Sequence, residues 1–308
     1  MCGIAGYVTE GRHEPSPALL ESMCDQIAHR GPDACGYFRG GGVALGHRRL
    51  SIIDVAGGDQ PLGNEDGSIQ VVFNGEIYNY RELRRGLVER GHQFTTESDT
   101  EVLVHLYEEA GSELPAHLNG MFAFAIWDQR KQELFLARDP FGKKPLYFTS
   151  SVPGFRLCFA SELKALAVMP GFDRTVSPRG VADFLTFAYV PDPNSIFAGA
   201  RKLPPGHSLL LGRDGVKRRQ YWKPSFAIRD DMTMAEAQEE LLALALDSVE
   251  RRMISDVPLG GFLSGGVDSS SVVALMCRRA RGRVKSFSIG FTDEDFDEVA
   301  YARQVAAP

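Results

Sequence analysis

Apolar residues recur along this chain in two rhythms. Through about residue 165 they come in short dense runs broken by glycine-rich turns. Residues 43–53 (VALGHRRLSII), 69–74 (IQVVFN) and 121–127 (MFAFAIW) read as strands, as do 133–138, 145–149 and 155–160. Helices are expected at 17–29, 79–90 and 99–110, the last two from apolar residues spaced for one helix face. Strands flanking helices in this way predict an α+β sandwich.

The rhythm changes twice more. Residues 166–232 read as a connector, with a helix-like stretch at 178–188 and prolines at 191, 193, 204 and 205. Arg213-Asp214-Gly215 lies between apolar runs and predicts a hairpin turn. From about 233 the order becomes helix, strand (257–263), Gly/Ser loop, helix (269–280), strand (284–290) and a last helical piece (297–306). Thr233 and Glu236 carry a capping-box spacing at the head of the first of these helices, which is expected to run to about 254. Strand-loop-helix-strand is the opening of a doubly wound parallel α/β domain, here with fewer strands than such a sheet needs. The expected divisions are therefore 2–165, a connector 166–232, and 233–308.

Composition narrows the class. The chain has 308 residues, 44% hydrophobic and 24% charged, with 34 Lys and Arg against 40 Asp and Glu, for a net charge of −6. No basic block supports nucleic-acid binding. No apolar run approaches the roughly 18 residues that would span a bilayer, and the N-terminus lacks the pattern of a secretory signal. A cytoplasmic protein is expected. The five cysteines (Cys2, Cys24, Cys35, Cys158, Cys277) are odd in number, and no C-x-x-C occurs. Neither a disulfide framework nor a zinc site is indicated, and no metal ligand is assigned. The last four cysteines are expected to be buried small hydrophobes.

Two places carry candidate chemistry. Removal of Met1 would leave Cys2 with a thiol and a free α-amine, a nucleophile with its own base. Read alone, Cys2 is merely an early apolar residue. Ser264-Gly-Gly-Val-Asp268-Ser-Ser270 lies between a strand and a helix. Its backbone can turn at Gly265 and Gly266 and aim amides at an anion, with hydroxyls from Ser264, Ser269 and Ser270. It lacks the lysine of a Walker A loop; the plain alternative is a βα turn with Asp268 as N-cap.

That loop resembles the pyrophosphate-binding loop of the ATP pyrophosphatase family. With Ser255-Asp-Val-Pro-Leu259 and Phe262-Leu263 before it, it looks like the start of the synthetase domain of the asparagine synthetase B family. The N-terminal half is similar to class II glutamine amidotransferases of the same family. The matches are Cys2-Gly3-Ile4, His29-Arg-Gly-Pro-Asp33, His47-Arg-Arg-Leu-Ser-Ile52, Phe73-Asn-Gly-Glu-Ile-Tyr-Asn79, Glu97-Ser-Asp-Thr-Glu101, Gly120-Met-Phe-Ala-Phe124 and Ala137-Arg-Asp-Pro-Phe-Gly142, in family order.

Amide hydrolysis needs a nucleophile, a base, an oxyanion hole and a grip on the substrate. Cys2 supplies the first two; the Asn74 amide and the Gly75 N–H can serve the oxyanion. Arg49 is a natural fork for an α-carboxylate, and Glu76 and Asp99 are candidates for an α-ammonium. Alone, Asn74-Gly75 reads as a type I′ turn. The resemblance implies that Arg49, Asn74, Gly75, Glu76 and Asp99 line a glutamine pocket, together with Leu50, Ser51, Ile52 and Ile53. The histidine loop at 29–33 is taken as structural, and Arg138-Asp139 as a buried ion pair at a domain interface.

The implied fold is an N-terminal-nucleophile αββα sandwich followed by a truncated ATP pyrophosphatase-like domain. The implied reaction turns glutamine into glutamate and ammonia through a thioester on Cys2. In the full-length family, ATP and Mg²⁺ then activate aspartate for amidation. Leu263, Ser264, Gly265, Gly266, Asp268, Ser269 and Ser270 would hold ATP phosphates, with Leu263 and Ile289 near adenine and ribose. A homodimer is left open. Family members are about twice this length by resemblance, and the downstream S-G-E-G-[SA]-D-E motif is absent, so the glutaminase centre alone is expected to work. Two alternatives stand beside this: the same chemistry serving another carboxylate or a sugar in envelope or exopolysaccharide pathways, and a non-catalytic or regulatory fragment.

Overall fold

A computed structural model describes residues 1–11, 13–229, 231–293, 295 and 297–307. It divides into two compact units, Met1–Pro224 and Ser225–Pro308.

The first unit opens with β1 (Gly3–Thr9), α1 (Pro17–Asp25), β2 (Ala34–Gly40) and β3 (Val43–Arg49). Then come β4 (Leu62–Gly63), β5 (Ile69–Ile77), α2 (Tyr80–Glu89) and α3 (Glu101–Ala110). β6 (Gly120–Asp128), β7 (Glu133–Arg138), β8 (Tyr147–Thr149), β9 (Phe155–Ala160) and α4 (Leu163–Ala167) follow. The unit closes with α5 (Pro178–Phe187), β10 (Arg201–Lys202), β11 (His207–Gly212) and β12 (Gly215–Gln220). Among the described residues the strands form two six-stranded sheets, in the orders β10-β8-β9-β1-β3-β2 and β12-β11-β7-β6-β5-β4. Every pairing in them is antiparallel.

Period-two alternation explains the layers. On β1, Ile4 and Val8 face a core between the sheets shared with Val43, Leu45, Val72, Ala125 and Trp127. Ala5 and Tyr7 face the other way, into a core with Leu20 and Met23 of α1 and Ala165 and Leu166 of α4. α3 packs on the second sheet through β4 and β5. This is the αββα sandwich expected from the sequence. α1 begins where Ser16 caps it: its hydroxyl accepts from the Leu19 N–H, and Pro17 sits at the first position, where its missing N–H costs nothing.

Three expectations shift. Of residues 166–232, read as a connector, those up to 224 belong to the first unit: β10 pairs with β8, and β11 pairs with both β7 and β12. The predicted Asp-Gly hairpin is the β11–β12 turn. The strand expected over 43–53 stops at Arg49, because the Arg49 side chain gathers the carbonyls of residues 53–55 into a loop. Cys24 and Cys158 are buried as expected, but Cys35 and Cys277 are exposed.

In the second unit, α6 (Met234–Arg252) carries the full capping box: Thr233 Oγ1 accepts from the Glu236 N–H, and the Glu236 carboxylate accepts from the Thr233 N–H. β13 (Gly260–Phe262) and β14 (Lys285–Phe287) pair in parallel around the connecting α7 (Val267–Arg279), and α8 (Val299–Ala306) follows. Among the described residues no helix is long and apolar enough to cross a membrane.

Candidate active site

The same alternation brings the chemistry together. Cys2 is in phase with Ile4, Arg49 with Leu45, and Asn74 with Val72, so all three side chains belong to the face between the sheets. There they line a hollow of about 240 Å³ with Leu50, Ile52, Ile53, Gly75, Glu76 and Asp99. That volume is small for a ligand pocket and suits a small polar metabolite. Of the expected glutamine-binding residues, only Ser51 does not line it; its N–H is donated to the Asp33 carboxylate at 2.8 Å.

Cys2 is held on both sides. Arg30 Nε donates to its carbonyl at 2.9 Å, and the Leu50 N–H donates to Sγ at 3.3 Å. Burial pushes the thiol pKa up, opposed by the Leu50 N–H and by Lys144. Met1 is 56% exposed and also lines the hollow.

Asn74 and Gly75 do not form a turn. They lie inside β5, opposite Ala123 and Phe122 of β6. A Cβ on Gly75 would sit 2.1 Å from the Met121 carbonyl oxygen, so only glycine permits this approach of the two backbones. Asn74 is fully buried, yet among the described residues neither Oδ1 nor Nδ2 has a hydrogen-bond partner. An unmade buried hydrogen bond costs about 1–3 kcal/mol. The amide is therefore a standing liability unless something in the hollow pairs with it. Neighbouring polar groups are satisfied: Gln60 Oε1 accepts from the Phe73 N–H at 2.6 Å, and Gln60 Nε2 donates to Thr100 Oγ1 at 3.1 Å. Burial takes His47, hydrogen-bonded to the Phe73 carbonyl, down to about 3, so it is neutral.

Arg49 is not a free fork. Nη1 donates to the Val55 carbonyl at 3.1 Å and the Asp59 carboxylate at 2.8 Å, while Nη2 donates to the carbonyls of Ile53 and Asp54 at 3.3 and 2.5 Å. It shapes the 53–59 loop while facing the hollow. Asp99 accepts from the Ile77 N–H at 2.9 Å; burial, aided by Glu76, lifts its carboxyl to about 7.

Lys144 is a wall residue that sequence reasoning missed. It is 4% exposed and lines the hollow, and burial pulls its ammonium down while Glu76 and Cys2 hold it up. Asp139 positions it by accepting from the backbone N–H groups of Phe122, Phe141, Lys143 and Lys144. Asp139 is thus not paired with Arg138, contrary to expectation. Arg138 donates instead to Asp192 and to the carbonyls of Gly142, Lys144 and Leu203. His29 and Arg30 both meet Glu162 at 2.9 Å, which fits the structural role expected of that loop.

In the second unit, Leu263, Ser264, Ser269 and Ile289 line a separate hollow of about 330 Å³; Gly265, Gly266, Asp268 and Ser270 do not. Gly265 has φ of +88°, and a Cβ there would meet the Tyr301 backbone at 2.6 Å, so α8 demands the glycine. Ser264 and Ser269 hydroxyls meet at 3.0 Å at the head of α7, and the Ser270 hydroxyl is buried without a partner among the described residues. Hydroxyl donors at a helix N-terminus, with Asp268 in the first turn, fit a metal-bound phosphate.

Comparison with known families matches residues 1–222 to the glutamine amidotransferase domain and residues 240–308 to asparagine synthase. The chain is 40% identical to asparagine synthetase [glutamine-hydrolyzing] 1 of Bacillus subtilis, covering 100% of this chain and 48% of that protein. It is 37% identical to a putative asparagine synthetase of Mycobacterium tuberculosis (98% and 49%), and 34% identical to amidase chry2 of Gibberella zeae (99% and 49%). The chain spans about half the length of these curated relatives. Among solved structures it resembles the glutamine phosphoribosylpyrophosphate amidotransferase of B. subtilis, with a TM-score of 0.52 at 22% identity, covering 96% of this chain and 68% of that one. The chain therefore belongs to the glutamine amidotransferase domain family, with its later residues matching asparagine synthase.

Proposed function

We propose that the first unit hydrolyses glutamine to glutamate and ammonia through a γ-glutamyl thioester on Cys2. The observation that carries this reading is the buried, unpartnered Asn74 amide in the same hollow as the Cys2 thiol. A catalytic oxyanion is the partner such a donor lacks. With Met1 attached, the Cys2 nitrogen is an amide and cannot act as a base; excision of Met1 frees the amine and opens the wall that Met1 occupies.

The steps then follow from the residues. The Cys2 amine takes the thiol proton, and Sγ attacks the side-chain carbonyl carbon. The oxyanion accepts from Asn74 Nδ2 and the Gly75 N–H. The proton passes to the leaving nitrogen, and ammonia departs as the C–N bond breaks. Water, deprotonated by the same amine, attacks the thioester; the C–S bond breaks and glutamate is released. Asp99 and Glu76 take the substrate ammonium, and ionisation of Asp99 becomes favourable when that charge arrives. Arg49 holds the 53–59 loop in place and lends its charge to the α-carboxylate. Lys144 favours the thiolate.

In a family member that carries the whole synthetase domain, the ammonia would amidate an aspartate carboxylate activated by ATP and Mg²⁺. Leu263, Ser264, Gly265, Gly266, Asp268, Ser269, Ser270 and Ile289 would hold the nucleotide, which supplies an adenylate leaving group. A second reading keeps the same glutaminase chemistry and gives the ammonia to another carboxylate or to a sugar. Glutamate release by this chain, lost in Cys2→Ala, tests the first proposal; amide formation by the full-length protein against a panel of carboxylates separates the acceptors.

A further inference from the structure

We propose that Glu65, His92, His105 and Glu108 form a binding site for a divalent transition metal of the zinc type, apart from the glutamine hollow. Glu65 stands in the turn between β4 and β5 and His92 just after α2. His105 and Glu108 share one face of α3. One ligand atom from each lies within 4.8 Å of every other.

The spacing is that of a coordination shell. His92 Nδ1 is 3.9 Å from the Glu65 carboxylate and 3.5 Å from Glu108 Oε2. His105 Nδ1 is 3.6 Å from Glu65 and 3.5 Å from Glu108 Oε2. Four ligands about 2.0–2.1 Å from a tetrahedral zinc are about 3.3 Å apart. The four histidine–carboxylate separations exceed that by about 0.2–0.6 Å, and every pair of ligand atoms lies within 4.8 Å.

The surroundings are arranged for it. His92 Nε2 meets Glu109 Oε1 at 3.1 Å, and Arg90 Nε holds that carboxylate at 2.8 Å. His105 Nε2 faces Glu101 at 3.7 Å, and the Glu101 carboxylate is anchored by four N–H and O–H donors of Thr95 and Thr96. Both rings thus turn Nε2 toward a carboxylate and Nδ1 toward the cluster; His92 makes the hydrogen bond of a carboxylate–histidine–metal relay, and His105 Nε2 stands just beyond hydrogen-bond range of Glu101. Each ligand carboxylate also has one neutral anchor: the Gln93 N–H on Glu65 at 3.0 Å, and Asn64 Nδ2 on Glu108 at 2.8 Å.

His105 supplies the independent sign of a ligand. It is 1% exposed, and among the described residues Nδ1 makes no hydrogen bond. Glu65, at 38% exposure, leaves a path from solvent.

The test uses this chain, stripped with a chelator and titrated with Co²⁺ alone. The expected result is one Co²⁺ per chain with the visible bands of four-coordinate cobalt, bleached by Zn²⁺. His92→Ala and Glu108→Gln should abolish the bands. Glu109→Gln, one shell out, should weaken binding about 10–100-fold. His105 is too buried for its replacement to be a safe variant; the other three are checked for folding by circular dichroism. Absence of the bands in the native chain, or equal affinity in the His92 and Glu108 variants, overturns the site and leaves a cluster held by protons alone.

Discussion

Asn74→Ala separates catalysis from stability more cleanly than any other change in the hollow. A buried asparagine normally anchors structure, and its loss costs the hydrogen bonds it made. Here the side chain makes none among the described residues. Truncation removes one unsatisfied buried amide, worth about 1–3 kcal/mol. It also opens a small void at the edge of an existing hollow, a loss of about 1–2 kcal/mol on the scale of buried truncations. The two effects nearly cancel. For a unit of this size, 1 kcal/mol moves the Tm by about 2–4 °C, so the variant should melt within about 5 °C of the parent. Activity should behave differently. Loss of one oxyanion donor costs about 10²–10³ in kcat, or 2.7–4 kcal/mol. Because the oxyanion exists only past the ground state, KM should barely move. Glutamate release measured over a range of glutamine concentrations, beside a melting curve, decides it. A kcat within threefold of the parent refutes the oxyanion assignment, and a Tm fall well beyond 5 °C refutes the claim that the amide is idle in the resting structure.

Other outcomes follow from the same hollow. Burial holds the Asp99 carboxyl at about 7, above its ordinary value of 3.8. Its protonation therefore stabilises the fold fully below pH 3.8, and this is lost as pH rises through about 7. Asp99→Asn should match the parent's stability near pH 3.8 and exceed it above pH 7, by at most about 4 kcal/mol, while raising KM for glutamine; a stability difference independent of pH contradicts this. Lys144→Met should shift the acid limb of the kcat/KM profile to higher pH, since Lys144 favours the Cys2 thiolate; an unmoved limb removes Lys144 from the chemistry. Gly75→Ala should fail to fold or pair β5 with β6 wrongly, because its Cβ would meet the Met121 carbonyl oxygen at 2.1 Å; a native-like amide exchange pattern in this ladder would contradict the close-approach argument.

Part of the hollow's lining was legible because Arg49 and Asn74 sit at fixed phases in β3 and β5, and Cys2 just ahead of β1. Cys2, Arg49 and Asn74 were found by motif, and alternation explains why they converge. Local signals failed where distant contacts decide. Lys144 follows a Pro-Phe-Gly stretch and another lysine, and looks solvated; the Asp139 carboxylate gathers that turn and buries it. Arg138 and Asp139 are adjacent, which suggested a pair, but neighbours on an extended chain point to opposite faces. The prolines between 191 and 205 masked β10, whose partner β8 lies more than fifty residues earlier, and hid the pairing of the expected β11–β12 hairpin with the distant β7. The cluster at Glu65, His92, His105 and Glu108 has no contiguous signature, because it assembles from a turn, a loop and a helix.

The covalent intermediate on Cys2 is the most direct mark of the proposed chemistry. Rapid quenching of the chain with glutamine, followed by mass analysis of its N-terminal peptide, should show Met1 absent and one glutamyl group on Cys2. The adduct should vanish in Cys2→Ala. Glutamate released by a Cys2→Ala chain, or turnover with Met1 still attached, would contradict the central claim.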